Sequence, residues 1–181
     1  MAHAPTVLST AFLDDCLARQ KLLKPDTYLL ADPEGESRLD VSLAEVAARA
    51  KANKGRLLQG QSIYCTEHVF GGFDSYKSII EANGGKCLLY RARAGSIPGK
   101  ARRDGESVEE EDEEPEYVYL ISGPKPEEKR LWGKFRSMVQ VVGKVPRISK
   151  TDWMLDLALR QEGRWRVEYD MAAAEGDEGE A

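Results

Sequence analysis

Side chains able to do catalytic chemistry are sparse in this sequence. It has two histidines, His3 near the N-terminus and His68 directly after Glu67, so no second imidazole is at hand for a metal cluster or a nucleophile–base pair. The three cysteines, Cys16, Cys65 and Cys87, are odd in number and form no C-x-x-C, which argues against a disulfide framework or a structural zinc site. Cys65 and Cys87 sit in apolar, β-rich runs, the setting of small core residues rather than thiolate nucleophiles. Neither G-x-G-x-x-G nor G-x-x-x-x-G-K-[ST] occurs, so nucleotide binding by either glycine loop has no basis. Carboxylates are plentiful, but nine crowd between Asp104 and Glu116, and a run this charged is expected to be disordered. Such a run cannot hold two acids at a working separation. The reading is a non-enzyme with no metal and no cofactor.

Charge points elsewhere. The 181 residues carry a net charge of -5, yet the run 104–116 and the tail 172–181 hold thirteen of the 31 acids and no Lys or Arg. Without them, 26 basic residues face 18 acidic ones, and a basic body suits acidic or phosphorylated partners. At 41% hydrophobic the chain has the means to build a core. No apolar run approaches the roughly 20 residues of a membrane span. The start, Met1-Ala2-His3-Ala4-Pro5-Thr6, has neither a basic n-region nor an apolar h-region, which favours an intracellular, reducing home.

The elements that position these residues follow from periodicity. Gln61–Thr66, Lys86–Tyr90, Glu116–Ile121 and Lys144–Ile148 read as short strands. Between the first two, Tyr76, Ile79 and Ile80 mark a helix closed by Asn83-Gly84-Gly85. A second helix opens in the run Gly123 to Glu128, with proline at its start and acids in its first turn, and continues through Leu131, Phe135, Met138, Val139 and Val142. A third carries Trp153, Met154, Leu157 and Ala158. The order β-α-β-β-α-β-α implies an α/β domain with a parallel sheet covered on both faces. Upstream, Asp32 to Ser37 reads as a turn-rich break, followed by a short linker helix on Val41, Leu43, Val46, Ala47 and Ala50.

The two ends of the chain match. At one constant offset Thr10 pairs with Thr151, Phe12 with Trp153, Asp15 with Asp156, Arg19 with Arg160, Gln20 with Gln161 and Tyr28 with Tyr169. Both segments have helical spacing, and each opens with a threonine expected to cap the helix. A duplicated domain is the natural inference, with the first copy represented only by its end. An apolar patch should then lie bare near Leu155, Leu159 and the Tyr76 helix.

With Gly60, Gly84-Gly85, Trp153 and Tyr169 in this order, the sequence resembles a BRCT domain, the interaction module of DNA-damage-response proteins. Phe12 stands where that family usually has tryptophan. The run Ile80-Glu81-Ala82-Asn83-Gly84-Gly85, the long acidic loop and Lys125-Pro126-Glu127-Glu128-Lys129-Arg130-Leu131-Trp132 resemble the C-terminal tandem pair of fungal multi-BRCT repair scaffolds. The implied fold is a four-stranded parallel sheet flanked by three helices, preceded by the last helix of an incomplete repeat and a linker helix. The implied division is 1–32 for the remnant, 33–58 for the linker, 59–171 for the complete domain with a disordered acidic loop over about 96–115, and 172–181 for a disordered tail.

That subgroup is associated with the phosphorylated tail of histone H2A, which implies a nuclear scaffold module with phosphorylated partners and other DNA repair proteins. In tandem pairs the first repeat holds the phosphate, while the second contributes a groove. By motif position the groove here is Phe70, Gly71, Thr151, Asp152 and Leu155. Thr66, Gly72 and Lys129 occupy a rudimentary version of the phosphate pattern within the second repeat. Trp153 is expected in the core and Thr151 at a helix cap. A rival reading is a DNA-binding unit using Arg91, Arg93, Lys100, Arg102 and Arg103, which lack interleaved aromatic platforms. A third is a clipped chain without binding of its own.

Overall fold

The computed structural model describes residues 6–92 and 116–171. The acidic loop, the tail, Arg93, Lys100, Arg102 and Arg103 lie outside the described residues.

Four strands, β1 (Ser62–Thr66), β2 (Lys86–Tyr90), β3 (Tyr117–Ile121) and β4 (Val145–Ser149), form one parallel sheet in the order β2-β1-β3-β4. Central β1 buries Ile63, Tyr64, Cys65 and Thr66 in succession, as a strand covered on both faces must. On one face, α4 (Phe73–Ala82) and α6 (Thr151–Arg160) pack Tyr76, Ile80, Trp153, Met154 and Leu157 against Ile63, Cys65 and Ile121. On the other, α5 (Pro126–Val141) packs Trp132, Phe135 and Val139 against Tyr64, Tyr90 and Leu120. The predicted α/β architecture is the observed one, with strand limits shifted by at most one residue. Helix α5 begins at Pro126, later than the expected opening in the run from Gly123. Buried thiols confirm the strand cysteines as packing groups: desolvation pushes Cys65 up to about 12 and Cys87 up to about 11.

Edge strand β4 contains Pro146, in register with Val118. Its outer carbonyl at Ile148 accepts from Met171 N at 2.8 Å, and Lys150 N donates to Tyr169 O at 2.9 Å, folding segment 169–171 back on the edge. The turn after α4 needs glycine at Gly84: φ is +82°, and a Cβ there would lie 2.8 Å from the Gly55 carbonyl oxygen.

Ahead of the sheet stand α1 (Ala11–Ala18), α2 (Pro33–Leu39) and α3 (Leu43–Asn53). Helix α2 corrects the expected break. Asp32 accepts from Gly35 N at 3.0 Å and Pro33 occupies the first helical position, so a run rich in turn formers is a helix start. The linker therefore holds two helices. They are fixed to α6 by Arg49 Nε donating to Arg160 O (2.8 Å) and Asn53 Nδ2 to Gln161 O (2.9 Å). Arg160 reciprocates, donating to the carbonyls of Asp40 (2.6 Å) and Leu39 (2.9 Å).

The internal repeat holds at the level of single bonds. Ser9 N donates to Tyr28 O and Leu30 N to Val7 O, matching Lys150 N to Tyr169 O and Met171 N to Ile148 O. The antiparallel bridge Leu8–Leu29 matches Ser149–Asp170. Tyr28 donates to Asp15 at 2.7 Å, as Tyr169 does to Asp156 at 2.8 Å. Gln20 and Gln161 both take left-handed φ, 49° and 54°. The threonine caps are a correction: the side chains of Thr10 and Thr151 make no capping bond, and Thr151 is the first helical residue after Lys150. At the first helix start Ala11 N donates instead to Ser9 Oγ at 3.2 Å, and at the last Trp153 N donates to the Lys150 carbonyl at 3.3 Å.

The expected bare patch is found in part: Leu155 is 47% exposed and shares an open cavity with Leu159, whereas Tyr76 is buried. Further exposed apolar side chains gather on the N-terminal segment. Val7 (44% exposed), Leu13 (62%) and Leu30 (42%) correspond to Ile148 (1%), Met154 (0%) and Met171 (6%) in the second copy. The N-terminal segment thus repeats the backbone bonding of 148–171 while its matching side chains stay exposed.

Trp153 stacks on Tyr119 at 4.5 Å and meets Trp165 edge-on at 5.4 Å. Trp153→Ala should cost about 3–5 kcal/mol, a large share of the roughly 5–15 kcal/mol of a typical domain. Urea denaturation measures it; a midpoint close to that of the parent chain would contradict this placement. Tyr169 gives a pH test. Burial, then the bond to Asp156, raises its hydroxyl from 10.0 to about 12. The folded state favours the protonated phenol, so this stabilisation is complete below pH 10 and lost as pH rises through about 12. Stability measured from pH 9 upward should fall over that window, and less steeply in Tyr169→Phe; equal slopes would refute it.

Candidate interaction surface

The groove residues come from two places. Loop 67–72 leaves β1, and its Val69 is buried while Phe70 stands 84% exposed. Gly71 and Gly72 both take positive φ, 89° and 83°, and Gly72 N donates to Val69 O at 3.0 Å. A Cβ on Gly71 would meet the Tyr76 hydroxyl at 3.2 Å. This tight turn buries Val69 under the domain and turns Phe70 outward.

Helix α6 supplies the other residues. Thr151 is half-buried at its first position, while Asp152 and Leu155 are exposed one turn apart. Asp152 and Leu155 line an open cavity of about 490 Å³ with Lys150, Asp156, Glu168 and Tyr169. Phe70, Gly71 and Thr151 are not among its lining residues. The structure thus unites Asp152 and Leu155 in one cavity, while Phe70 and Gly71 are exposed on the loop.

The residues of the phosphate pattern sit on three elements: Thr66 at the end of β1, Gly72 ahead of α4 and Lys129 in α5. Thr66 ends β1 fully buried, and its hydroxyl donates to Glu128 Oε1 at 2.9 Å. Gly72 precedes α4, and the Lys129 ammonium lies 5.7 Å from the centre of the Trp132 ring. A cavity of about 440 Å³ at the strand ends is lined by Thr66, Glu67, His68, Arg91, Glu127 and Glu128, among others, and by neither Gly72 nor Lys129. Thr66 is corrected on this point: its hydroxyl already serves a carboxylate of the chain itself.

Sequence reasoning missed that carboxylate. Glu128 reads as a first-turn acid beside a helix N-terminus, yet it is 1% exposed. It accepts from Thr66, from Ser122 Oγ at 3.4 Å and from Gly123 N. Trp132 Nε1 supports the set by donating to Ser122 Oγ at 2.8 Å. The available signal was the polar pair Ser122-Gly123 directly after an apolar strand. A second feature missed is the guanidinium of Arg147, 3.5 Å from the Tyr117 ring centre and 4.6 Å from that of Trp165.

Of the basic residues considered for DNA, Arg91 makes a two-pronged pair with Glu67 at 2.9 and 2.8 Å. Its charge is thereby largely compensated.

No family model matches this sequence. The chain is 26% identical over 165 residues to BRCT-containing protein 1 of Schizosaccharomyces pombe, covering 88% of this chain and 17% of that protein. It is 32% identical over 82 residues to PAX-interacting protein 1 of Bos taurus, covering 45% of this chain and 8% of that protein. The chain thus spans a small part of the curated relatives it matches. Among solved structures it is similar to the BRCT5-BRCT6 domains of S. pombe Brc1, with a TM-score of 0.60 and 26% identity over 89% of this chain and 70% of that one. The chain of Rtt107p solved with phosphorylated histone H2A shares the fold, with a TM-score of 0.54 and 15% identity over 91% of this chain and 64% of that one.

Proposed function

We propose that this chain, whose four-stranded unit is a BRCT domain resembling those of fungal multi-BRCT scaffold proteins, is a non-catalytic interaction module of the DNA-damage response. In this reading it works in the nucleus as the later part of a tandem pair, and its partners are phosphorylated proteins such as the phosphorylated tail of histone H2A. The observation that carries the reading is the likeness to the Brc1 pair over 89% of the chain, joined to the internal repeat. Segment 6–30 closes a preceding repeat, whose sheet covers Val7, Leu13 and Leu30. The Arg160–linker bonds then set the angle between repeats. Phosphate recognition belongs to that preceding repeat, because the hydroxyl at the end of β1 here is spent on Glu128. The exposed Phe70 and the Asp152–Leu155 cavity are the surfaces left for residues flanking the phosphate.

A phosphoserine carries about -1.5 to -2 charges and needs several preorganised donors. This chain alone should therefore bind a phosphorylated H2A-tail peptide and its unphosphorylated form with nearly equal affinity. A longer chain with a complete repeat ahead of residue 6 should prefer the phosphopeptide at least tenfold, about 1.4 kcal/mol. Calorimetry with both peptides on both chains decides it. Strong phospho-selectivity in the short chain, or none in the long one, would overturn the assignment.

A further inference from the structure

In open parallel sheets ligands bind beyond the carboxyl ends of the strands, where successive connections diverge to opposite sides. The order β2-β1-β3-β4 puts that point between β1 and β3. Donors converge there. Thr66 is the last residue of β1, and Ser122 and Gly123 directly follow β3. The two hydroxyls and one amide all donate to one buried carboxyl group, that of Glu128.

No lysine, arginine or histidine among the described residues pairs with this carboxylate. A buried carboxylate without a countercharge persists only where hydrogen-bond donors replace water around it. A set of two hydroxyls and a backbone N–H is what a carboxylate and a tetrahedral oxyanion both require. The cavity of about 440 Å³ in front of Glu128 gives the place an open mouth. Its rim carries Arg91, held by Glu67, with His68 and the exposed Glu127 nearby.

We infer that the crevice between β1 and β3 is an anion seat whose resident occupant is the side chain of Glu128, so that this domain excludes free oxyanions by filling the seat itself. Gly123 fits the same account. A Cβ there would come 2.5 Å from Glu128 Oε2, so the absence of a side chain lets the carboxylate reach the donors. The inference stands on this domain alone and does not depend on which partner the full protein binds.

The test is a phosphate titration of the full chain at constant ionic strength, followed by amide chemical shifts at Thr66, Ser122 and Gly123. The unsubstituted chain should show no saturable change. Glu128→Ala, which empties the seat, should bind inorganic phosphate at least tenfold more tightly. Glu128→Gln, which removes the charge but keeps the volume, should behave like the unsubstituted chain. A parallel arm with phosphoserine separates the sources: entry by phosphate alone marks a seat for the free ion, and entry by both marks one that admits a phosphorylated side chain. A folded Glu128→Ala chain with no saturable shift overturns the inference, as does equal binding by all three chains or by the two variants. Should Glu128→Ala unfold, its melting is followed with added phosphate against chloride. Recovery of the fold with phosphate supports the seat, and no recovery overturns it.

Discussion

The carboxylate of Asp156 joins the parts of this molecule. One oxygen accepts the hydroxyl of Tyr169, which belongs to the segment 169–171 held against β4. The other accepts Arg160 Nε at 2.6 Å, and the remaining guanidinium nitrogens reach the linker carbonyls of Leu39 and Asp40. A planar group with fixed donor directions suits this bridging, and a lysine in its place could not serve three acceptors with the same geometry. Closure of the domain and docking of the linker thus share one half-buried acid. In the N-terminal copy the Asp15–Tyr28 bond is kept, while Arg19 makes no such bridge among the described contacts.

Much of the architecture was legible because the sheet is parallel and doubly covered. Its strands are short continuous apolar runs, and the helices between them show clear spacing, so Lys86–Tyr90 could be delimited to the residue. The repeat was legible for a different reason. Asp, Gln and Tyr recur where a side-chain bond, a left-handed helix end and a buried ring each demand a particular chemistry. Helix α2 was hidden because Asp32, Pro33 and Gly35 favour turns as strongly as helix starts, and only the bond from Gly35 N decides between them.

The surface was harder to read. Whether Phe70 or Val69 turns inward depends on the positive φ of Gly71 and Gly72, and a loop has no period to announce it. Glu128 was missed for a deeper reason: a first-turn acid is ordinarily solvated, and one of its three donors, Thr66, lies 62 residues away in β1. One case turns on local backbone dihedrals and the other on a contact between segments, whereas the fold rests largely on side-chain periodicity.

The closed margin of β4 has a consequence for how anything can attach at that side. Pro146 has no amide hydrogen, the Ile148 carbonyl is taken by Met171, and Lys150 N is spent on Tyr169 O. An extended peptide arriving there finds few main-chain groups with which to prolong the ladder, so β-augmentation is blocked. Recognition at this flank has to proceed through side chains such as Arg147 and Trp165, which makes it sensitive to sequence from the first contact. The same plugging guards against edge-to-edge association of copies, a hazard that grows when many such modules are strung on one polypeptide.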